Sequence, residues 1–176
     1  MLPLKEATAA KHALAEQASF NQRMFRGELG PQDYLLYLEQ QRAVFEELER
    51  YPLPHPALSR IAGVEADIAE ALAKGCSSGG VLPATRAYVD HLAGLSGEER
   101  GPHVYLNYLA LMFGGQMMKQ RVPSSGKMYD FDDVREAMAA VRAVQQDAWA
   151  DEVNRGFDFH IALFDELQAA TVVEKS

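Results

Sequence analysis

Near the end of the chain, Trp149, Val153, Phe157, His160, Phe164 and Leu167 recur three or four residues apart. Only an α-helix gathers that spacing onto one face, because 3.6 residues per turn bring the chain back to the same side. Similar spacing recurs upstream, and no segment alternates apolar and polar residues with period two for long enough to form a strand. The fold class is therefore all-α, with about seven helices in a single domain over residues 1–176.

Prolines and glycines punctuate those helices. Pro3 opens a helix to about residue 18, with Leu4, Ala7, Leu14 and Ala18 on one face and His12 beside it. Residues 20–26 read as a connector of about one turn. Pro31 starts a second helix to about residue 50, with Tyr34, Leu35, Leu38, Gln41, Phe45 and Leu48 inward. The three prolines between Tyr51 and Pro56 exclude helix there. Further helices are expected at about 57–74, 83–92 and 102–122, then a short extended piece at 128–131. Asp133 followed by Glu136 has the pattern of a capping box, which opens a helix to about residue 146 with Val134, Met138 and Val141 inward. The last helix covers about 148–170.

The middle helix carries Gly114-Gly115 in its interior. Two interior glycines cost a helix about 2 kcal/mol against alanine. Two readings stand: a kink or tight crossing, or a surface without side chains that lies flat against a neighbouring helix or a planar ligand.

Composition narrows the function. A net charge of −8 argues against nucleic acid as a partner, because phosphate binding needs a basic footprint. The single cysteine, Cys76, allows no internal disulfide and fits a reducing cytoplasm. Met1–Ala10 has no apolar leader run, Thr171–Ser176 is polar and no tail anchor, and no membrane span is expected.

Of five histidines, His55 and His91 read as surface residues and His103 as part of a helix start, whereas His12 and His160 lie on or beside apolar stripes. HExxH, CxxC, Glu-x-x-His, P-loop and GxGxxG motifs are all absent, so no sequence motif supports a zinc, di-iron or nucleotide site, and one cysteine supports no thiolate site. What remains fits haem. One imidazole suffices for its iron, and His12 has Glu16 four residues on to fix its second nitrogen. Gly114-Gly115 offers a flat wall, Lys5, Lys11, Arg135 and Arg142 are candidates for the propionates, and Met112, Phe113, Met117 and Phe157 for apolar lining.

Three segments resemble the haem oxygenase family. They are Leu4-Lys5-Glu6-Ala7-Thr8 with His12, Tyr105-x-x-Tyr108-Leu109 with Gly114-Gly115-Gln116, and Phe157-x-x-x-Ile161-x-Leu163-Phe164-Asp165-Glu166-Leu167. The resemblance implies a haem-oxygenase-like helical bundle that binds haem b as both cofactor and substrate, with His12 on iron. It implies ring opening to biliverdin, carbon monoxide and ferrous iron, with electrons from a ferredoxin or flavin reductase. Lys5 matches a family position for the propionates. The family's distal helix usually reads Gly-Asp-x-x-Gly-Gly, and its aspartate orders the water that protonates bound oxygen. Ala110 and Leu111 stand at those positions, and leucine orders no water. Gln41, Asn107 and His160 replace other polar residues of that network. The alternative is a non-catalytic haem carrier or sensor on the same fold; a haem-independent enzyme of the same helical superfamily is a third.

Overall fold

The computed structural model describes residues 1–172, so the final part of the polar stretch Thr171–Ser176 lies outside the described residues. Among the described residues the regular structure is helical throughout, with ten α-helices and four short 3-10 turns rather than about seven helices. The extra elements arise where expected helices break. Leu4–Ala7 (α1) and Ala9–Gln17 (α2) divide at Thr8, whose hydroxyl donates to the Leu4 carbonyl at 2.9 Å, as β-branched hydroxyl residues do when they compete with the helical ladder. Residues expected as a connector form Ser19–Phe25 (α3), driven by the buried pair Phe20 and Met24 at i,i+4.

Pro31–Leu48 (α4), Ile61–Ala73 (α5) and Pro83–Ala93 (α6) lie close to the expected positions. The helix expected through the diglycine does not run through it. Gly101–Met112 (α7) stops, Phe113 is extended, Gly114 takes φ +68°, and Gly115–Arg121 (α8) begins afresh. That left-handed angle costs an L-residue about 1–2 kcal/mol, which is why a glycine occupies it.

Residues 128–131, expected to be extended, include part of the 3-10 turn Lys127–Tyr129. Asp67 accepts from the Lys127 and Met128 amides at 3.0 and 2.9 Å, and Arg60 donates to the Met128 and Asp130 carbonyls at 2.9 and 2.8 Å. Those bonds occupy the backbone groups a strand would have to pair. Val134–Val144 (α9) starts at the Asp133 cap, whose carboxylate accepts from the Glu136 amide at 3.1 Å. Val134, expected inward, is exposed, and Ala137 and Val141 carry the inner face. Ala150–Val172 (α10) closes the described chain.

A main core joins α4, α5, α6 and α7 around Phe45, Leu38, Leu92 and Tyr108. A smaller cluster of Leu4, Ala15, Leu106, Val153 and Phe157 fastens α1 and α2 to α7 and α10. The tight helix crossing falls at Gly156 rather than at the diglycine. A Cβ there would come within 2.4 Å of Leu106 Cδ2 and 3.2 Å of His103 Nδ1. No helix among the described residues is long and apolar enough to cross a membrane.

Candidate haem pocket

Between α1, α2, α4, α7 and α10 lies a cavity of about 460 Å³, lined mostly by apolar side chains. This size is ordinary for a small-molecule or cofactor site. Lys5, His12, Glu16, Gln41, Asn107, Phe113, Arg142, Phe157 and His160 all line it.

His12 sits on α2 with its side chain 57% exposed, so a ligand entering the cavity can reach it. Its ring stacks on Phe157 at 5.4 Å, and Nε2 lies 2.8 Å from Glu16 Oε1. The i,i+4 geometry makes this pair possible, as the sequence suggests. Glu16 holds one ring nitrogen and leaves the other free. A half-turn of the ring exchanges the two.

His160, on α10, is wired differently. Asn107 Nδ2 donates to the His103 carbonyl at 2.8 Å and to the Tyr88 hydroxyl at 2.9 Å. A carbonyl carries no proton, so the amide NH2 must face it and Asn107 Oδ1 must face His160. His160 Nε2, 2.9 Å from that oxygen, is therefore the protonated nitrogen, and Nδ1 is an acceptor. Burial, with a smaller contribution from His103, pushes the His160 pKa down to about 4, so the ring is neutral near pH 7.

The network continues away from the cavity. Tyr88 gives its proton to His103 Nδ1 at 2.7 Å, and His103 Nε2 gives its own to Glu152 at 2.8 Å. His103, expected to help a helix start, is instead fully buried, and His91, expected at the surface, is partly buried against Glu152. An amide cannot pass a proton on without tautomerising, so Asn107 orients His160 rather than conducting to it.

Several expected site residues lie elsewhere. Gly114 and Gly115 are not in the lining; Ala110, Leu111 and Phe113 before them and Met118 after them stand there. Lys11 is outside the lining and pairs with Asp158 at 2.7 Å. Arg135 is exposed and off the cavity, two turns or about 10 Å along α9 from Arg142. Met112 points into the main core, and Met117 is exposed.

Other lining residues escaped the sequence reading. Tyr37 could have been found, since it is four residues before Gln41 on α4; burial raises its hydroxyl to about 12 against a hydrogen bond from Gln41. Tyr129 arrives from the 3-10 turn, which no periodicity announces. Gln145, at the end of α9, lines the cavity with its carbonyl oxygen buried and unpaired. That oxygen is an acceptor, so a water or another hydrogen-bond donor in the cavity completes its bonding. With His12 accessible and two cations, Lys5 and Arg142, in the same lining, the residues present fit a haem.

Fold and cavity together define an all-helical protein whose first, middle and last helices enclose a large, mostly apolar cavity. Residues 2–166 match the sequence model of the family described as Heme oxygenase. The chain belongs to the haem oxygenase family. It is 25% identical to a heme oxygenase of Pyropia yezoensis, over 96% of this chain and 86% of the relative. It is 29% identical to heme oxygenase 1 of Bos taurus, over 94% of this chain and 70% of the relative. Its fold is similar to that of heme oxygenase-1 from the cyanobacterium Synechocystis, solved in complex with heme (TM-score 0.79, 22% identity, 97% of this chain and 93% of that one). A heme oxygenase from Leptospira interrogans is similar in the same way (TM-score 0.78, 20% identity, 93% of this chain and 97% of that one).

Proposed function

We propose that this chain binds haem b through His12 and opens it oxidatively to biliverdin, carbon monoxide and ferrous iron, using electrons from a separate reductase such as a ferredoxin or flavin reductase. The observation that carries the reading is one cavity lined both by the accessible, Glu16-paired His12 and by the neutral, Asn107-held His160. Bound haem would supply a redox-active iron and is itself the substrate.

The chain's own residues do the rest. Glu16 fixes the His12 tautomer and raises the basicity of the nitrogen offered to iron. Lys5 and Arg142 supply positive charge for two propionates; Arg142 is held in place over the Phe113 ring at 5.5 Å. Phe157 and Leu106 exclude water from the apolar part of the cavity. Opposite the usual pattern, Leu111 presents no proton donor or acceptor. Polar contact on that side comes from Asn107, Gln41 and His160, and His160 Nδ1 is the free acceptor that can hold a water.

The second reading, a haem carrier or sensor without ring opening, draws its support from Leu111, an apolar side chain in the lining where the family places a carboxylate. One experiment separates the two. Purified protein loaded with haem is given a reductant and air, and its visible spectrum is followed. Loss of the Soret band with growth of a bilin absorption supports ring opening. A stable Soret band through repeated reduction overturns it in favour of the carrier. Absence of any Soret shift on mixing overturns both.

A further inference from the structure

Behind the cavity, three helices bring three metal-ligating side chains together. His91 is in the last turn of α6, His103 is near the start of α7, and Glu152 is in the first turn of α10. The two Nε2 atoms approach the same oxygen, Glu152 Oε1, at 2.5 and 2.8 Å, and all three ligand atoms lie within 4.8 Å of one another. We infer that His91, His103 and Glu152 form a binding site for one divalent transition-metal cation of the zinc class, distinct from the haem pocket.

The donor set argues for that class. Two imidazoles and one carboxylate are a borderline-soft N2O set, suited to zinc and its neighbours and poor for calcium or magnesium, which want oxygen. Zinc bonds of 2.0–2.1 Å in a tetrahedron put ligand atoms about 3.3 Å apart. The two nitrogen–oxygen separations, 2.5 and 2.8 Å, would widen by about 0.8 and about 0.5 Å to reach it. With a metal on Nε2, His103 would carry its proton on Nδ1 and donate it to the Tyr88 oxygen 2.7 Å away, the reverse of the metal-free direction, so its second nitrogen has an outer partner within reach.

A hydrogen-bonding role alone leaves part of the cluster unexplained. Buried His103 needs Glu152 as an acceptor, but His91, at 20% exposure, could be satisfied by water and instead brings a second imidazole to the same oxygen. The other carboxylate oxygen has only a loose contact of 3.7 Å with the exposed Arg155. An entry path also exists. A second cavity, of about 390 Å³, has Glu152 in its wall together with Glu98 and Glu99, which makes it a negatively charged approach open to a cation. The three ligands would staple α6, α7 and α10 together.

The test uses the full chain without haem and cobalt(II) as a spectroscopic stand-in for zinc. One equivalent of cobalt should bind and give the intense visible bands of a four-coordinate site. Zinc should displace it and raise the melting temperature. His91→Ala and Glu152→Gln should each weaken binding at least tenfold and remove the thermal shift, while His12→Ala leaves both intact. Glutamine at 152 still offers His103 an acceptor, and His91 is peripheral, so both variants should fold; circular dichroism checks this. Absence of saturable binding overturns the site, as does binding that survives His91→Ala, or binding lost only in His12→Ala. None of these outcomes depends on whether the chain degrades haem.

Discussion

At the scale of single residues, a ring nitrogen is useful only if its partner leaves the right atom free. His12 has one nitrogen on Glu16 and the other without a protein partner, while lying exposed to the cavity. Replacing it with alanine removes the one imidazole in the lining that is exposed and not tied to an amide. His12→Ala should therefore abolish the spectrum of histidine-ligated haem, with affinity falling at least tenfold; an unchanged Soret band in a titration would assign the ligand elsewhere. Leu111 poses the opposite question, because an apolar side chain lines the cavity at the position where the resemblance implies a carboxylate. A carboxylate introduced by Leu111→Asp can accept from water held near His160 and Gln41. If water ordering limits the reaction, the bilin yield per haem consumed should rise at least twofold when the haem-loaded protein is given reductant and air. An unchanged yield would mean that Gln41, Asn107 and His160 already suffice.

At the scale of elements, what positions the site is the crossing of α7 with α10, and here sequence and structure part company. The diglycine attracts attention because it is conspicuous, yet its work is to end α7 with a left-handed residue. Gly156 is inconspicuous, a lone glycine within a long amphipathic helix, and it sets the approach. Periodicity tells which face of α10 is buried; it does not tell which neighbour lies opposite or how near. Gly156→Ala puts two effects in competition. Alanine gains about 1 kcal/mol in helix propensity, while overpacking costs about 1–3 kcal/mol. The new Cβ would meet Leu106 and His103, both buried and the latter held by Tyr88 and Glu152, so neither yields easily. The overpacking should win, lowering the melting temperature by several degrees and weakening haem binding at the same time. A stabilised variant with normal binding would show that the helices slide apart freely.

At the scale of the whole molecule, the helical class, most helix positions, the His12–Glu16 pair and the candidacy of His160 were legible from spacing alone, because they are local. What was not legible is the burial of His103 and its link through Tyr88 and Asn107 to His160, which joins three helices and leaves no periodic trace. That network has a consequence for the stability of the entire fold. His160 is neutral in the native state with its pKa at about 4, whereas an unfolded histidine titrates near 6.5. The groups facing it are Asn107, which accepts its proton, and the rings of Tyr88 and Phe157, with His103 adding repulsion. None favours the imidazolium. Above pH 6.5 both states hold a neutral ring and the group has no effect on the folding equilibrium. As pH falls from 6.5 toward 4 the unfolded chain takes up a proton that the native ring refuses, so stability is lost across that window. The full loss is about 3 kcal/mol, and less where water in the cavity reaches the ring. For a chain of this size that corresponds to roughly 10 °C in melting temperature. Glutamine can keep a donor toward Asn107 Oδ1 but does not titrate, so His160→Gln should melt at a temperature that falls more gently between pH 6.5 and 4 than the parent's. The check is a series of thermal melts of both haem-free proteins across that range. Parallel curves would place the acid sensitivity of the fold in some other group and show that the His160 ring is not held neutral in the native state.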